Sequence, residues 1–167
     1  MAIDLALDLS TTTGWALGDT SHAQPVRKYG RWLLERRPTL IPRDLQIGYR
    51  MSCLCGELDR AITVHQPDRV VFEAPLHRAD HTSRLLICLA GAVEMVCDER
   101  KVMCEEGHLS QVRALVLPKA THKGQPMKSR VLSWARENGW SPEDDNVADA
   151  LVLLRYCQIL RGARVTA

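Results

Sequence analysis

The chain has 167 residues, of which 46% are hydrophobic and 25% are charged, which predicts one globular domain over residues 1–167 rather than two. A net charge of +2 excludes a uniformly basic surface, so any contact with nucleic acid has to come from local basic residues. The six cysteines show no zinc-finger spacing, and the sequence lacks a signal peptide and a membrane-length apolar run. These features predict a cytoplasmic protein.

The first predicted element is a strand that ends in an acid. Ile3 and the leucines that follow it alternate with Asp4, Ala6 and Asp8, which places the acids on one face of the strand. A run of hydroxyl residues and Gly14 then predicts a tight turn, and residues 15–17 return as a second strand. An ionised carboxylate among apolar strands is costly unless cations or hydrogen-bond donors offset it. Asp8, at the mouth of this hairpin, therefore needs partners from elsewhere in the chain.

The middle of the chain continues with a strand, a helix and another strand. Residues 26–34 predict a third strand, and apolar residues spaced three and four apart predict an amphipathic helix over residues 43–65. Residues 69–75 form a short β-branched run, which predicts a buried strand with Glu73 near its end. Glu73 is thus a second acid at the end of a strand.

The next helix, predicted over residues 82–100, is apolar on nearly every side. Such a helix has to be covered on more than one side. In a domain of this size, part of that cover can come from a second copy of the protein. We therefore expect a homodimer.

The last third of the chain combines helices with basic residues. The pattern predicts, in order, a short strand over residues 102–105, a short helix over residues 110–117 with Arg113, a basic loop over residues 118–126, a helix over residues 127–138 with Lys128 that stops at Gly139, and a final helix over residues 143–161.

The final helix carries a third source of acids. At 100 degrees per residue, Asp145 and Asn146 lie one turn before Asp149 on the same face. Taken singly, acids at a strand end or a helix start are ordinarily turn or capping residues, but Asp149 lies beyond the capping positions. Together with Asp8 and Glu73, these residues supply the oxygens that two-metal phosphodiester hydrolysis requires, and such hard ligands favour Mg²⁺ or Mn²⁺.

Four motifs, in order along nearly the whole chain, resemble the RuvC family of Holliday junction resolvases: Asp8-Leu-Ser-Thr-Thr-Thr-Gly14-Trp, Phe72-Glu73-Ala74-Pro75, Lys128-Ser129-Arg130-Val131 and Asn146-Val-Ala-Asp149-Ala150-Leu151. The resemblance implies an RNase H-like α/β fold, with a five-stranded mixed sheet flanked by helices. It also implies a homodimer that nicks symmetrically related strands of four-way DNA junctions with two Mg²⁺ or Mn²⁺ ions per site. The short first turn, with Ser10 in place of the usual Gly, is more similar to the phage branch, so we expect a bacterial cell or a phage-infected host.

The resemblance further implies a role for each acid. Asp8 matches the family's first acid and is expected to bridge the two ions, while Glu73 and Asp149 are expected to hold one ion each. Asn146 stands where the family has Asp or His, so either its weaker amide oxygen or the neighbouring Asp145 completes the metal ligands.

Two basic residues match the family's catalytic-face cations. Lys128 matches one of them and is expected to stabilise charge on the scissile phosphate as a catalytic residue. Arg113 matches the other, although the segment between the two is longer here. The candidate contacts to DNA are Arg113, Lys119, Lys123, Arg78 and Lys28.

Two other functions are compatible with parts of the sequence. Asn146 at a ligand position is compatible with a non-catalytic or weakly catalytic branched-DNA-binding module of the same fold. The opening acid, turn and glycine also occur in actin-like and sugar-kinase-like ATPases, but those folds need two such domains and this chain has room for one.

Overall fold

The computed structural model describes residues 2–20, 26–35, 42, 45–75, 81–117 and 126–165. Within them the strands are β1 (Ile3–Asp8), β2 (Thr12–Asp19), β3 (Val26–Leu33), β4 (Arg69–Glu73) and β5 (Met103–Gly107). The helices are α1 (Gln46–His65), α2 (His81–Arg100), α3 (Leu109–Val116), α4 (Met127–Glu137) and α5 (Asp145–Val165). None of these described helices is long and apolar enough to cross a membrane.

The strands form a five-stranded mixed sheet in the order β3-β2-β1-β4-β5. β1 pairs antiparallel with β2 and parallel with β4, and β5 runs parallel to β4. Because Leu7 of β1 pairs with Phe72 of β4, the next residues, Asp8 and Glu73, end neighbouring strands at the same edge of the sheet. The sheet and its flanking helices confirm the predicted α/β fold.

Helices cover both faces of the sheet and produce two hydrophobic clusters. α1 and α2 pack on one face, against Leu5 and Leu7 of β1. α3, α4 and α5 belong to the cluster on the opposite face, where α5 lies over Ala6 and Ala16, which pair across β1 and β2. Because alanine adds little bulk above the strands, α5 can lie close to the sheet.

The bounds of α5 differ from the sequence-based prediction. The helix begins at Asp145 rather than at residue 143, because the Asp144 carboxylate accepts a hydrogen bond of 3.0 Å from the backbone N–H of Val147 and so caps the helix. It continues to Val165 rather than ending near residue 161.

The turn after β1 is also shorter than predicted, because Thr12 and Thr13 already belong to β2. The Ser10 hydroxyl donates to the backbone carbonyl of Thr12 at 2.7 Å, and the Thr13 hydroxyl donates to the carbonyl of Ser10 at 2.9 Å. These local bonds close the turn that follows Asp8.

At the end of β1 opposite Asp8, the Asp4 carboxylate is fully buried. Arg69 of β4 donates to its two oxygens from Nη2 at 2.6 Å and from Nε at 3.3 Å. Arg161 of α5 donates at 2.7 Å, and the Thr20 hydroxyl donates at 2.8 Å. These four hydrogen bonds tie the last turns of α5 to β1 and β4 and satisfy a charge that would otherwise be costly to bury.

We expect Asp4→Asn to lower the free energy of unfolding by about 3–5 kcal/mol, because it removes the fully buried carboxylate charge that pairs with both Arg69 and Arg161. Urea unfolding measures the loss. The matched control is Asp98→Asn, which removes an exposed ion pair with Lys101 and is expected to change stability little. Equal effects of the two substitutions would contradict this role of Asp4.

Candidate active site

Three carboxylates converge where β1 and β4 end. Asp8 and Glu73 end the two strands, Asp149 projects from the second turn of α5, and all three line one narrow pocket together with Gly107 and Val112. Asp8 and Glu73 share a hydrogen bond between their side chains. Acids from three separate elements of the sequence therefore form a single cluster.

Burial and mutual repulsion favour the protonated forms of these acids. Burial, the charges of Asp149 and Glu73, and the hydrogen bond to Glu73 raise the pKa of Asp8 well above its usual value. Burial and the charge of Asp149 also raise the pKa of Glu73, although the hydrogen bond with Asp8 opposes that rise. Burial raises the pKa of Asp149 as well. Each of the three acids, once ionised, therefore makes ionisation of the other two more costly.

Arg113 of α3 places a positive charge inside the cluster. Its Nη2 lies 3.2 Å from Oδ1 of Asp149, and the two side chains are only 26% and 13% exposed. The charge of Arg113 opposes the rise in the pKa of Asp8 and Glu73 as well as that of Asp149. Its neighbour Val112 is buried in the cluster that contains α5, which fixes α3 at this position. The sequence resemblance implies that Arg113 is a cation on the catalytic face and a DNA contact, and the structure places it against Asp149.

Lys128 and the two candidate ligands at the start of α5 surround the cluster. Nζ of Lys128 lies 2.5 Å from Oδ2 of Asp145. The hydrogen bond and charge of Asp145 raise the pKa of Lys128, and the charges of Asp149 and Asp8 add to the effect, so the ammonium faces the cluster. The side-chain amide of Asn146 has no hydrogen-bond partner among the residues that the structure describes. Asp145 is thus engaged by Lys128, while the Asn146 amide is available.

Gly14 controls how closely α5 reaches the cluster, a role beyond the turn that the sequence predicts for it. Gly14 pairs with Asp8 across β1 and β2. A Cβ atom on Gly14 would lie 2.0 Å from the backbone oxygen of Asn146 and 2.7 Å from the backbone nitrogen of Val147. No side chain fits in that space, so the first turn of α5 rests on the backbone of β2. A glycine inside a strand is the sequence signal for such an approach.

A second group of contacts anchors the start of α5 to β3, and the sequence carries no signal for it. The guanidinium of Arg31 lies 3.0 Å from both Asp144 and Glu143. The backbone N–H of Ser141 donates to the Tyr29 hydroxyl at 3.2 Å. These contacts hold the cap of α5, and with it the position of the helix beside the cluster.

Among the other predicted DNA contacts, Lys28 lies away from the acids. It lines a groove between β3 and α1 that the stacked rings of Trp15 and Trp32 also line. The other three predictions, Arg78, Lys119 and Lys123, lie outside the residues that the structure describes.

The donor chemistry of the cluster fits a hard divalent cation. Carboxylate and amide oxygens are the ligands that Mg²⁺ and Mn²⁺ prefer, and three buried acids need positive charge nearby. In their present arrangement, the described His, Cys, Asp and Glu residues form no group of three or more that is disposed to hold a metal ion. The contacts explain this, because Asp8 and Glu73 hydrogen-bond to each other and Asp149 pairs with Arg113. The residues therefore suit a divalent cation in their type and location, but their oxygens now contact other side chains of the protein.

No protein-family model and no curated protein sequence matches the chain. Solved structures match along nearly its full length. A Thermus thermophilus RuvC in complex with a Holliday junction substrate has a TM-score of 0.73 at 15% sequence identity, and the match covers 97% of this chain and 96% of that one. The chain has the RuvC fold.

Two further structures agree with this fold. Another Thermus thermophilus RuvC structure has a TM-score of 0.69 at 18% identity, with 96% of each chain covered. The yeast mitochondrial Holliday junction resolvase Ydc2 has a TM-score of 0.65 at 11% identity, with 98% of this chain and 82% of that chain covered. The RNase H-like fold expected from the motifs is therefore confirmed at low sequence identity.

Without metal at pH 8, we expect Asp8→Asn to raise the free energy of unfolding by roughly 1–3 kcal/mol, because it removes one acid from a crowded, buried cluster. An acid whose pKa is raised on folding stabilises the fold below its unfolded pKa, and that contribution is lost as the pH rises through the folded pKa. The gain should therefore shrink at pH 4, where Asp8 of the wild type is protonated. Urea unfolding in chelator at both pH values measures it. A loss of stability at pH 8 would contradict this account.

We expect Gly14→Ala to displace the first turn of α5, because the added methyl group collides with the backbone of Asn146. The predicted destabilisation is about 1–3 kcal/mol, measured by urea unfolding. The control is Gly56→Ala within α1, where a Cβ meets nothing within 4 Å and alanine favours the helix. If Gly14→Ala were as stable as Gly56→Ala, the proposed constraint on α5 would be wrong.

Proposed function

We propose that the protein is a metal-dependent endonuclease that resolves four-way (Holliday) or other branched DNA junctions by paired phosphodiester hydrolysis. The observation that carries the proposal is the convergence of Asp8, Glu73 and Asp149 at one edge of the sheet in a RuvC fold. A RuvC of this fold is known in complex with a Holliday junction substrate, which supports branched DNA as the partner. The short first turn with Ser10 supports a phage-type member of the family.

The acids would serve as ligands for Mg²⁺ or Mn²⁺, two ions per site. When bound, such ions supply an activated water and stabilise charge on the leaving oxygen. Asp8 lines the pocket together with both Glu73 and Asp149, so it would be suited to a bridging role, with one ion held by each of the other two acids. The free amide of Asn146, or Asp145, completes the set of ligands.

Lys128 is proposed to contact the scissile phosphate. Its side chain is 79% exposed, and its ammonium faces the acids from the solvent side, where a DNA strand can approach. A cation in that position stabilises negative charge that develops on the phosphate. Arg113, Lys28, Lys119, Lys123 and Arg78 are proposed to contact other phosphates, which makes DNA binding sensitive to salt.

We further propose that the active form is a homodimer that assembles through the outer face of α2. Ile87 and Met95 on that face are 44% and 49% exposed. A cavity of about 860 Å³ adjoins this face and is lined in part by Pro75, Ile87 and Ala90. A two-fold dimer presents two identical active sites, as the cutting of two symmetrically related strands requires.

The direct test is cleavage of a supercoiled plasmid that extrudes a four-way junction, in Mg²⁺ or Mn²⁺. The wild-type protein is expected to make two cuts in one binding event and so to produce linear DNA. Asp8→Asn should still bind the junction but leave it uncut, with activity reduced by at least about 10³-fold. Asp59→Asn on α1, away from the acids, loses an ion pair with Arg100 and should cut like the wild type.

Two results of this cleavage assay would contradict the proposal. Relaxed circles as the final product would contradict the dimer, because they report single nicks. Binding by the wild type without any cut in either metal would contradict the enzyme and favour the non-catalytic or weakly catalytic branched-DNA-binding module, which the asparagine at position 146 allows.

A further inference from the structure

Two contacts between aspartate and arginine lie at opposite ends of α5, and they differ in the number of hydrogen bonds that the aspartate accepts. Asp4 receives four hydrogen bonds between 2.6 and 3.3 Å, two of them from Arg69. Asp149 receives a single bond of 3.2 Å from Arg113. The Nε of Arg113 is buried, and it has no hydrogen-bond partner among the described residues. The contact at Asp4 is saturated, as expected of a structural ion pair, and the contact at Asp149 is not.

The charge of Arg113 nevertheless matters to every acid in the cluster. Its guanidinium lies 3.2 Å from Asp149, which lines a narrow pocket together with Asp8 and Glu73, so one cation serves three acids. Arg113 therefore supplies the positive charge that an acidic cluster needs when no cation is bound. A divalent cation on the same oxygens would repel the guanidinium and compete with it for Asp149.

We propose that Arg113 is a resident counter-ion of the acidic cluster, which a divalent cation has to displace from Asp149. This inference rests on the proposed metal-dependent function. Arg113 also lines the cavity of about 860 Å³, together with Ser110 and Met127, so its guanidinium has space to move away from Asp149 while it stays beside the cluster. A DNA phosphate is a partner that suits the released guanidinium. Metal and DNA would then bind cooperatively, each favouring the state in which Arg113 has left Asp149.

The test measures metal binding without DNA and without turnover. Wild type, Arg113→Gln and Arg60→Gln are titrated with Mn²⁺ at pH 8, and free Mn²⁺ is followed by electron paramagnetic resonance. Arg60→Gln is the matched control, because it removes one positive charge from an exposed ion pair on α1. Arg113→Gln is expected to bind Mn²⁺ about tenfold more tightly than the wild type and the control do. Without metal, it should also unfold at a lower temperature than either.

Equal or weaker Mn²⁺ binding by Arg113→Gln would overturn the inference and leave the proposed nuclease function standing. If neither protein binds Mn²⁺, even with a four-way junction present, the proposed function fails and the inference fails with it. If Arg113→Gln does not fold, the wild type still decides the matter by NMR. Addition of Mg²⁺ should shift the Nε–H resonance of Arg113, assigned with Arg113→Lys, and an unchanged resonance at saturating Mg²⁺ would overturn the inference.

Discussion

The contact between Gly14 and the backbone of Asn146 fixes the distance between helix α5 and the end of β1. A Cβ atom at position 14 would lie 2.0 Å from the Asn146 oxygen, so the contact depends on the absence of a side chain. Ala6 and Ala16 allow the same close approach farther along the helix. Because α5 lies this close to the sheet, Asp149 shares a pocket with the two acids at the strand ends.

The acids at the two ends of β1 differ in how fully their charge is neutralised. At one end, Asp4 is saturated by arginine and threonine donors, which joins α5 to the sheet and stabilises the fold. At the other end, Asp8 and Glu73 are hydrogen-bonded to each other, and burial raises the pKa of both acids. Clustered, poorly neutralised acids destabilise a protein, and such strain is typical of sites that are completed by a ligand. The hydrogen bond from Arg161 to Asp4 anchors one end of α5, while at the other end Asp149 is repelled by the acids of the cluster.

The strands and the positions of the acids on them were predicted from local patterns, and the five-stranded sheet from the resemblance to the RuvC family. The patterns of apolar residues predicted that Asp8 and Glu73 lie at the ends of strands, and helical spacing predicted that Asp149 lies on the same helix face as Asp145 and Asn146. The contact of Arg113 with Asp149 was not predictable, because the motif match implies a cation on the catalytic face but does not identify its partner across the fold. The role of Gly14 was missed because the sequence predicted it in a turn, whereas it lies inside β2. The contacts of Arg31 were missed because they join segments that are distant in sequence. The start of α5 was predicted at residue 143 rather than at Asp145 because adjacent acids suit the first turn of a helix equally well in sequence, and only the structure shows that Asp144 is the cap.

We propose that Asp8, Glu73 and Asp149 form a site for divalent cations, and that binding of the ions breaks the contacts that these acids now make within the protein. The most direct measurement is a crystal structure of the protein soaked in Mn²⁺, with anomalous scattering used to locate the ions. The account predicts anomalous density within ligand distance of Asp8 and Asp149, with the hydrogen bond between Asp8 and Glu73 broken. Saturating Mn²⁺ with no density at these oxygens, and with that hydrogen bond intact, would contradict it.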